Sequence, residues 1–143
     1  MHSTDRTKRL HTDLTIDLVV SDGEALRLQV RFSYDSADPF AVRLDWPGGP
    51  EAAAPWLFSR DLLRTGLGDP VGEGCVRVWP PCPCHGPTTM RVLLRGMGEA
   101  AVLYVPAGPF EDWLTETFRA VPAGTEGSYL DWEAVLAELL RRG

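Results

Sequence analysis

The chain has 143 residues, a hydrophobic fraction of 44% and a formal net charge of −6 at pH 7. This length predicts one domain with a single core, and the negative charge disfavours a dedicated nucleic-acid binder, which needs a basic surface to displace counterions from phosphates. No apolar run approaches the roughly 20 residues that span a bilayer, so we expect no direct membrane insertion.

The N-terminal segment MHSTDRTKRLHTDLT is polar and lacks the apolar core of a signal peptide. We therefore predict a flexible N-terminal tail over residues 1–10, followed by a single domain over residues 11–143. Because no secretion signal is recognised, we expect the protein to stay in the cytoplasm.

Alternation of apolar and polar side chains predicts four strands in the first 60 residues. Their apolar positions are Leu14, Ile16, Leu18 and Val20; Leu26, Leu28, Val30, Phe32 and Tyr34; Phe40, Val42, Leu44 and Trp46; and Trp56 with Phe58. The segments SDG, DSADP and PGGPEAAAP separate these strands and are rich in turn-forming residues.

The segment SRDLLRTGLGDP then predicts a short helix, with Asp61 near its start and Gly66 or Gly68 at its end. Three further strands follow, marked by Val76 and Val78, by Met90, Val92 and Leu94, and by the segment AAVLYV. Two C-terminal helices carry apolar stripes, formed by Phe110, Trp113, Leu114, Thr117, Phe118 and Val121 and by Trp132, Val135, Leu136, Leu139 and Leu140. This order predicts an α+β fold of mostly antiparallel strands, with helices covering one face of a sheet.

The carboxylates of Asp35 and Asp38 in YDSADP are close in sequence, and two roles are open for them. One is a catalytic dyad. The other is a structural turn with Pro39, which is favoured because Asp side chains accept backbone N–H bonds and Asp before Pro suits a turn. No hydrolase, metalloprotease or nucleotide-binding motif occurs elsewhere. We therefore predict neither catalytic residues nor a cofactor.

The segment CVRVWPPCPCHG holds all three cysteines and one of the three histidines. A structural zinc site uses about four ligands, usually from two separated pairs, whereas Cys82, Cys84 and His85 have no second pair. We therefore expect an exposed loop with incidental thiols and no metal, and leave a metal or redox site as the alternative. Cys75, directly before Val76, is predicted to be a half-buried strand residue.

Trp79 is out of phase with the core positions Val76 and Val78, which makes it a candidate partner contact. Arg60 and Asp61, at the entry to the short helix, are further candidates, with a structural role equally open. Six arginines occupy the non-core phase of predicted strands and would form a basic face for single-stranded nucleic acid: Arg27, Arg31, Arg43, Arg77, Arg91 and Arg95.

Four motifs occur in a recognisable order: YDSADPFAVRL at 34–44, WLFSRDLLRTGL at 56–67, GEGCVRVWP at 72–80 and VPAGTE at 121–126. Together they resemble the SsgA-like family of sporulation and cell-division proteins of actinobacteria. The resemblance implies a Whirly-like architecture of two antiparallel sheets with packed helices, assembled as a homotrimer. The segment PCPCHGP departs from the family, in which many members have a serine and a short polar or basic loop.

The resemblance also implies function by assembly rather than catalysis. Members of the family help to localise septum formation, and one of similar length recruits the tubulin-like division GTPase FtsZ to future septum sites. We therefore expect a non-enzymatic cell-division protein in the cytoplasm, at the septum, with FtsZ and other SsgA-like proteins as partners. The alternative is a single-stranded nucleic-acid-binding module of Whirly-like fold, and a metal-dependent enzyme centred on the cysteine loop ranks last.

Overall fold

The computed structural model describes residues 7–20, 23–47, 54–84, 86–96 and 99–142. The strands in this part of the chain are β1 (Arg9–Val20), β2 (Ala25–Asp35), β3 (Ala41–Asp45), β4 (Trp56–Ser59), β5 (Val71–Glu73), β6 (Val76–Trp79), β7 (Thr89–Gly96) and β8 (Glu99–Pro106). The helices are α1 (Arg60–Gly66), α2 (Ala107–Ala120) and α3 (Trp132–Arg142), with a short 3-10 helix (Glu126–Tyr129) between the last two.

The described strands form one antiparallel sheet in the order β4-β3-β2-β1-β8-β7-β6-β5. The α+β class with mostly antiparallel strands is thus confirmed. The two sheets of the predicted architecture are two four-stranded halves of one continuous sheet, joined where the end of β1 pairs with β8, with Leu18 opposite Leu103. At about 3.3 Å per residue, β1 extends for about 40 Å, which is long enough to belong to both halves. The Whirly-like likeness stays a prediction.

The first strand begins at Arg9, inside the segment predicted as an N-terminal tail. The backbone N–H of Lys8 donates to Ser36 Oγ at 2.8 Å, and the Ser36 N–H donates to the Lys8 carbonyl at 2.9 Å. These bonds extend the pairing of β1 with β2, so regular structure starts before residue 11. Residues 1–6 and 97–98 lie outside the described residues, as do parts of the predicted turns, at 21–22 and 48–53.

Helices α1 and α2 cover the inner face of the sheet, where alternate side chains of the strands are buried. The ring of Phe32 on β2 meets the ring of Phe110 on α2 edge-on, with centroids 4.8 Å apart. The centroid of the Trp113 ring lies 6.4 Å from that of Phe32. Such aromatic contacts add to the burial of apolar area that holds the helix on the sheet. The stripe predicted for the first C-terminal helix is therefore confirmed.

The last helix, α3, is formed where the sequence predicts it, but its apolar face does not cover the sheet. Trp132 and Leu140 are 56% and 80% exposed, and α3 contacts the other described elements only sparsely. The start of the helix is fixed locally: the Trp132 indole N–H donates to the Gly127 carbonyl at 3.1 Å, and Asp131 Oδ1 accepts the Ala134 N–H at 3.1 Å. Among the described residues, no helix has the length and apolar character to cross a bilayer.

Gly66, the last residue of α1, allows that helix to approach β6 closely. A Cβ atom on this residue would lie 2.6 Å from Val78 Cβ and overlap the same side chain further out. Val78 is fully buried and stiff at χ1, so it cannot move aside cheaply. We expect Gly66→Ala to lower the free energy of unfolding by about 1–3 kcal/mol, measured by urea denaturation.

The matched control is Gly108→Ala in the first turn of α2, where an added Cβ meets no heavy atom within 4 Å. This change should be neutral or stabilise by up to about 1 kcal/mol, since alanine has the higher helix propensity. Equal urea midpoints for the two variants would contradict the close approach of α1 to β6.

Candidate functional site

Arg60, which the sequence suggests as a candidate partner contact, is buried at the start of α1, with 1% of its surface exposed. Its Nη1 donates to the Thr117 carbonyl and its Nη2 to Glu126 Oε2, each at 2.9 Å. Its guanidinium carbon lies 3.9 Å from the centroid of the Phe118 ring and 4.8 Å from that of Tyr34. Arg60 therefore offers no surface to a partner, which corrects the prediction, and instead joins β2, α1, α2 and the 3-10 helix.

Glu126 is buried beside Arg60 and has both carboxylate oxygens bonded. Oε1 accepts the Gly124 N–H at 2.8 Å, while Oε2 accepts from Arg60. Hydrogen bonding to its own backbone N–H, followed by the bonds from Arg60 and Gly124, holds the pKa of Glu126 below its ordinary value against the opposing effect of burial. The carboxyl group is therefore ionised at neutral pH, and the buried contact with Arg60 is an ion pair.

Tyr34 closes the other side of this cluster. Burial is the main cause that raises the pKa of its hydroxyl to about 12, so the hydroxyl stays protonated at neutral pH. It donates to the Pro39 carbonyl at 2.9 Å. The cluster therefore also fixes the connection between β2 and β3.

Asp35, Asp38 and Pro39 lie in and beside that connection. Asp35 Oδ1 accepts the Ala37 N–H at 2.9 Å, and the Asp38 N–H donates to the Asp35 carbonyl at 2.9 Å. An Asp side chain bonded to the backbone two residues later is typical of a turn. These contacts are those of a structural turn.

Asp61 and Trp79, the other two candidate contacts, lie on opposite sides of the sheet. Asp61 is exposed on α1, over the inner face, where it forms a surface ion pair with Arg64 at 3.4 Å. Trp79 follows the buried Val78 on β6 and therefore points to the outer face. The structure does not bring Asp61 and Trp79 into one site.

The three cysteines form no disulfide. Cys75 is exposed in the turn between β5 and β6, which corrects the prediction of a half-buried strand residue. The Cys82 N–H donates to the Gly86 carbonyl at 3.3 Å across the loop that also holds Cys84. His85 lies outside the described residues, and the residues that are described include no group of three His, Cys, Asp or Glu side chains placed to hold a metal ion.

The outer face of the sheet carries the predicted arginines, and its two halves differ. On β1–β3 the arginines are paired with carboxylates, Arg27 with Asp17 at 3.2 Å, Arg31 with Asp13 at 2.7 Å and Arg43 with Asp45 at 3.0 Å. The hydrogen bond from Arg31 is the main cause that lowers the pKa of Asp13. These pairs neutralise half of the basic face that the nucleic-acid alternative requires.

On the other half of the outer face, Arg91 lies beside aromatic rings. The guanidinium carbon of Arg91 is 5.1 Å from the centroid of the Trp79 ring, and Tyr104 lies opposite Arg91 on the next strand. We define the Arg–Trp face as Arg77, Trp79, Arg91, Leu93, Arg95, Val102 and Tyr104. The sequence indicates this surface because Trp79 alternates with the core positions Val76 and Val78. That Leu93, Val102 and Tyr104 belong to the same surface follows only from the register between β7 and β8.

Removal of the buried cation tests the Arg60 cluster. We expect Arg60→Ala to lower the free energy of unfolding by about 3–5 kcal/mol, because Glu126 would stay buried without its counter-ion. Arg60→Lys keeps the charge but not the planar fork, so its loss should be intermediate. The control is Arg64→Ala, which also removes a guanidinium from the Phe118 ring but at an exposed position, with an expected loss below about 1 kcal/mol. Similar urea midpoints for both alanine variants would refute the role of Arg60.

The depressed pKa of Glu126 predicts acid sensitivity. A folded-state pKa below the ordinary value of 4.5 means that this carboxylate contributes its full stability above about pH 4.5. That contribution is lost as the pH falls through the lower folded-state pKa. The Glu126→Gln variant should therefore lose less stability than the wild type when the pH is lowered from 7 to 3, with the free energy of unfolding measured by urea denaturation at each pH. The control is Glu116→Gln, which removes a carboxylate from an exposed pair with Arg119 and should follow the wild-type pH dependence. A wild-type pH dependence of stability in Glu126→Gln would contradict the lowered pKa of Glu126.

Comparison with known proteins identifies the family of the chain. The family model described as Streptomyces sporulation and cell division protein, SsgA, matches residues 28–126, a span that includes both Arg60 and Glu126. Sporulation-specific cell division protein SsgB of Streptomyces coelicolor is 39% identical over 128 residues, which are 90% of this chain and 93% of the relative. SsgB of Thermobifida fusca is 32% identical, over 90% of this chain and 92% of the relative.

Two solved structures share the fold. One comes from work on mutations in SsgB that correlate to longitudinal cell division during sporulation of Streptomyces coelicolor. It matches with a TM-score of 0.78 and 37% sequence identity, over 89% of this chain and 99% of the other chain. The other is an SsgA-like sporulation-specific cell division protein from Thermobifida fusca, with a TM-score of 0.79 and 30% identity, over 96% and 98%. The resemblance predicted from the four motifs is confirmed, and the chain belongs to the SsgA family of sporulation and cell division proteins.

Proposed function

We propose that this chain is a non-enzymatic cell-division protein that helps to position or recruit the FtsZ division machinery at sporulation septa. The observation that carries the proposal is the nearly full-length match to relatives named sporulation-specific cell division proteins. The proposal places the protein in the cytoplasm at the septum, with FtsZ as its main partner and other SsgA-like proteins as further partners.

The surfaces of the described chain support action through assembly. The exposed stripe of α3 consists of large apolar side chains that monomeric surfaces rarely group together: Trp132, Leu136, Leu139 and Leu140. The Arg–Trp face lies on the uncovered side of the sheet. Trp79 on that face is half-buried beside Arg91. Contiguous apolar side chains and tryptophan beside arginine are both typical of protein interfaces.

A homotrimer is part of the proposal, with the α3 stripe buried between copies. Burial of such a stripe removes apolar area from water, which is the main favourable term in most associations. A trimer presents three copies of every remaining surface, and linked copies hold a polymeric partner more tightly than one copy does. Individually weak contacts would therefore suffice to retain FtsZ protomers at one place.

The proposal is tested by sedimentation of FtsZ polymers from the same organism, in the presence of GTP, with increasing amounts of this protein. We expect the protein to pellet with the polymer and to increase the polymer yield, because a multivalent binder stabilises the assembled state. The pelleted fractions are quantified by gel densitometry. Absence of co-pelleting together with an unchanged polymer yield would rule out direct recruitment.

The same assay separates the contribution of α3. Leu136→Glu combined with Leu139→Glu should convert the trimer to monomers in analytical ultracentrifugation and reduce co-pelleting, because avidity is lost. Leu57→Glu is the matched control, since Leu57 is also an exposed leucine, 59% accessible, but lies on β4. An unchanged sedimentation coefficient in the double variant would exclude α3 as the trimer contact.

A further inference from the structure

The Arg–Trp face is a positively charged surface on a protein whose net charge is negative. Arg77, Arg91 and Arg95 form no ion pair with any carboxylate of the described chain, whereas Arg27, Arg31 and Arg43 on the same side of the sheet each do. The whole chain carries a net charge of −6. Arginines on adjacent strands without carboxylate partners create a local positive potential, which attracts an acidic ligand.

The register arranges this face in two rows that run across the strands. In one row Trp79 lies opposite Arg91, and Arg91 lies opposite Tyr104. In the other row Arg77 lies opposite Leu93, and Leu93 lies opposite Val102. Each row therefore places a guanidinium beside apolar or aromatic side chains, so that one ligand segment can meet charge and apolar surface together.

The dimensions of the face set the size of the ligand. Strands are spaced about 4.8 Å apart, so β6, β7 and β8 together span about 10 Å, and Arg91 and Arg95, four residues apart on one strand, are separated by about 13 Å. An extended peptide of four or five residues has this length. The contact between Arg91 and the Trp79 ring restrains one guanidinium in advance, which reduces the entropy lost on binding.

We propose that the Arg–Trp face binds an extended acidic segment of a partner protein. Carboxylates of the segment pair with Arg77, Arg91 and Arg95 through the bidentate geometry that guanidinium groups favour. One aromatic or aliphatic side chain of the segment packs against Trp79 and Tyr104. The inference rests on the proposed function only in taking the partner to belong to the division machinery.

A protein segment fits this surface better than a nucleic-acid strand does. A strand carries a phosphate at every nucleotide and is held in a continuous basic groove. Here Asp17 of β1 lies opposite Tyr104 of β8. The row that contains Arg91 therefore continues into a carboxylate, and this carboxylate is already paired with Arg27. The uncompensated charge therefore ends after three strands, which suits a short ligand with two or three carboxylates.

The test is a titration of the full-length, ¹⁵N-labelled chain with a synthetic peptide, followed by NMR at low ionic strength. The probe is an eight-residue peptide with capped ends that contains three acidic residues, one Phe and one Leu, with Ser and Gly at the other positions. We expect shifts of the Trp79 indole N–H and of backbone amides in β6, β7 and β8. The affinity should fall by about tenfold or more at high salt, since exposed charges are screened.

Matched variants locate the binding charges. Arg77→Ala combined with Arg91→Ala should weaken peptide binding by about tenfold or more, since two charge-assisted contacts are lost. Arg31→Ala combined with Arg43→Ala removes the same number of charges from the same side of the sheet and should leave the affinity within about twofold, because those guanidinium groups already bind carboxylates. Circular dichroism and thermal unfolding establish that all variants are folded before binding is compared.

Several outcomes would overturn the proposal. These are the absence of peptide-induced shifts, shifts confined to β1–β3, equal losses in the two double variants, or tighter binding of a thymidine octanucleotide than of the peptide at the same face. FtsZ co-pelleting without peptide binding would overturn this surface and leave the proposed function intact. Peptide binding without co-pelleting would support the surface and reject FtsZ as the direct partner.

Discussion

The architecture depends on one buried charge, the guanidinium of Arg60. Removing an arginine from water is costly unless its charge and its donors are matched, and here the match comes from Glu126, the Thr117 carbonyl and two aromatic rings. Arg60 Nε has no hydrogen-bond partner among the described residues, so stacking on the rings takes the place of a complete set of hydrogen bonds. The partners come from β2, α2 and the 3-10 helix. The requirement to satisfy one side chain therefore fixes three elements around α1.

The two faces of the sheet serve different purposes as a result. The inner face is covered by α1 and α2 and is filled by apolar side chains and by the Arg60 cluster. The outer face has no helix over it in the described chain, and there the pattern of charge decides what each half can do. Arginines on β1–β3 are satisfied by carboxylates of the same chain, whereas those of the Arg–Trp face form no ion pair with the described residues.

Local patterns in the sequence predict most of the strands and helices. The features that these patterns do not predict depend mainly on residues that are distant in the sequence. Local patterns predict seven of the eight strands, and Ser59 caps α1 by accepting the Leu62 N–H, as expected for a serine before a helix. The three-residue β5 has one apolar side chain and shows no alternation. Arg60 resembles a solvated helix-start residue because the carboxylate that allows its burial is 66 residues away. The single sheet likewise depends on the pairing of β1 with β8, and the amphipathic pattern of α3 does not specify what covers its apolar stripe.

The long first strand also determines the order in which the chain can fold. Its pairing with β2 is local and can form as soon as both strands have been synthesised, and β3 and β4 follow by short connections. Its pairing with β8 has to wait until most of the chain has emerged. Since distant contacts form slowly, the edge of β1 between Asp17 and Val20 stays open throughout that interval. An unpaired strand edge is a template for wrong partners, so this short stretch exposes a nascent chain to misassembly.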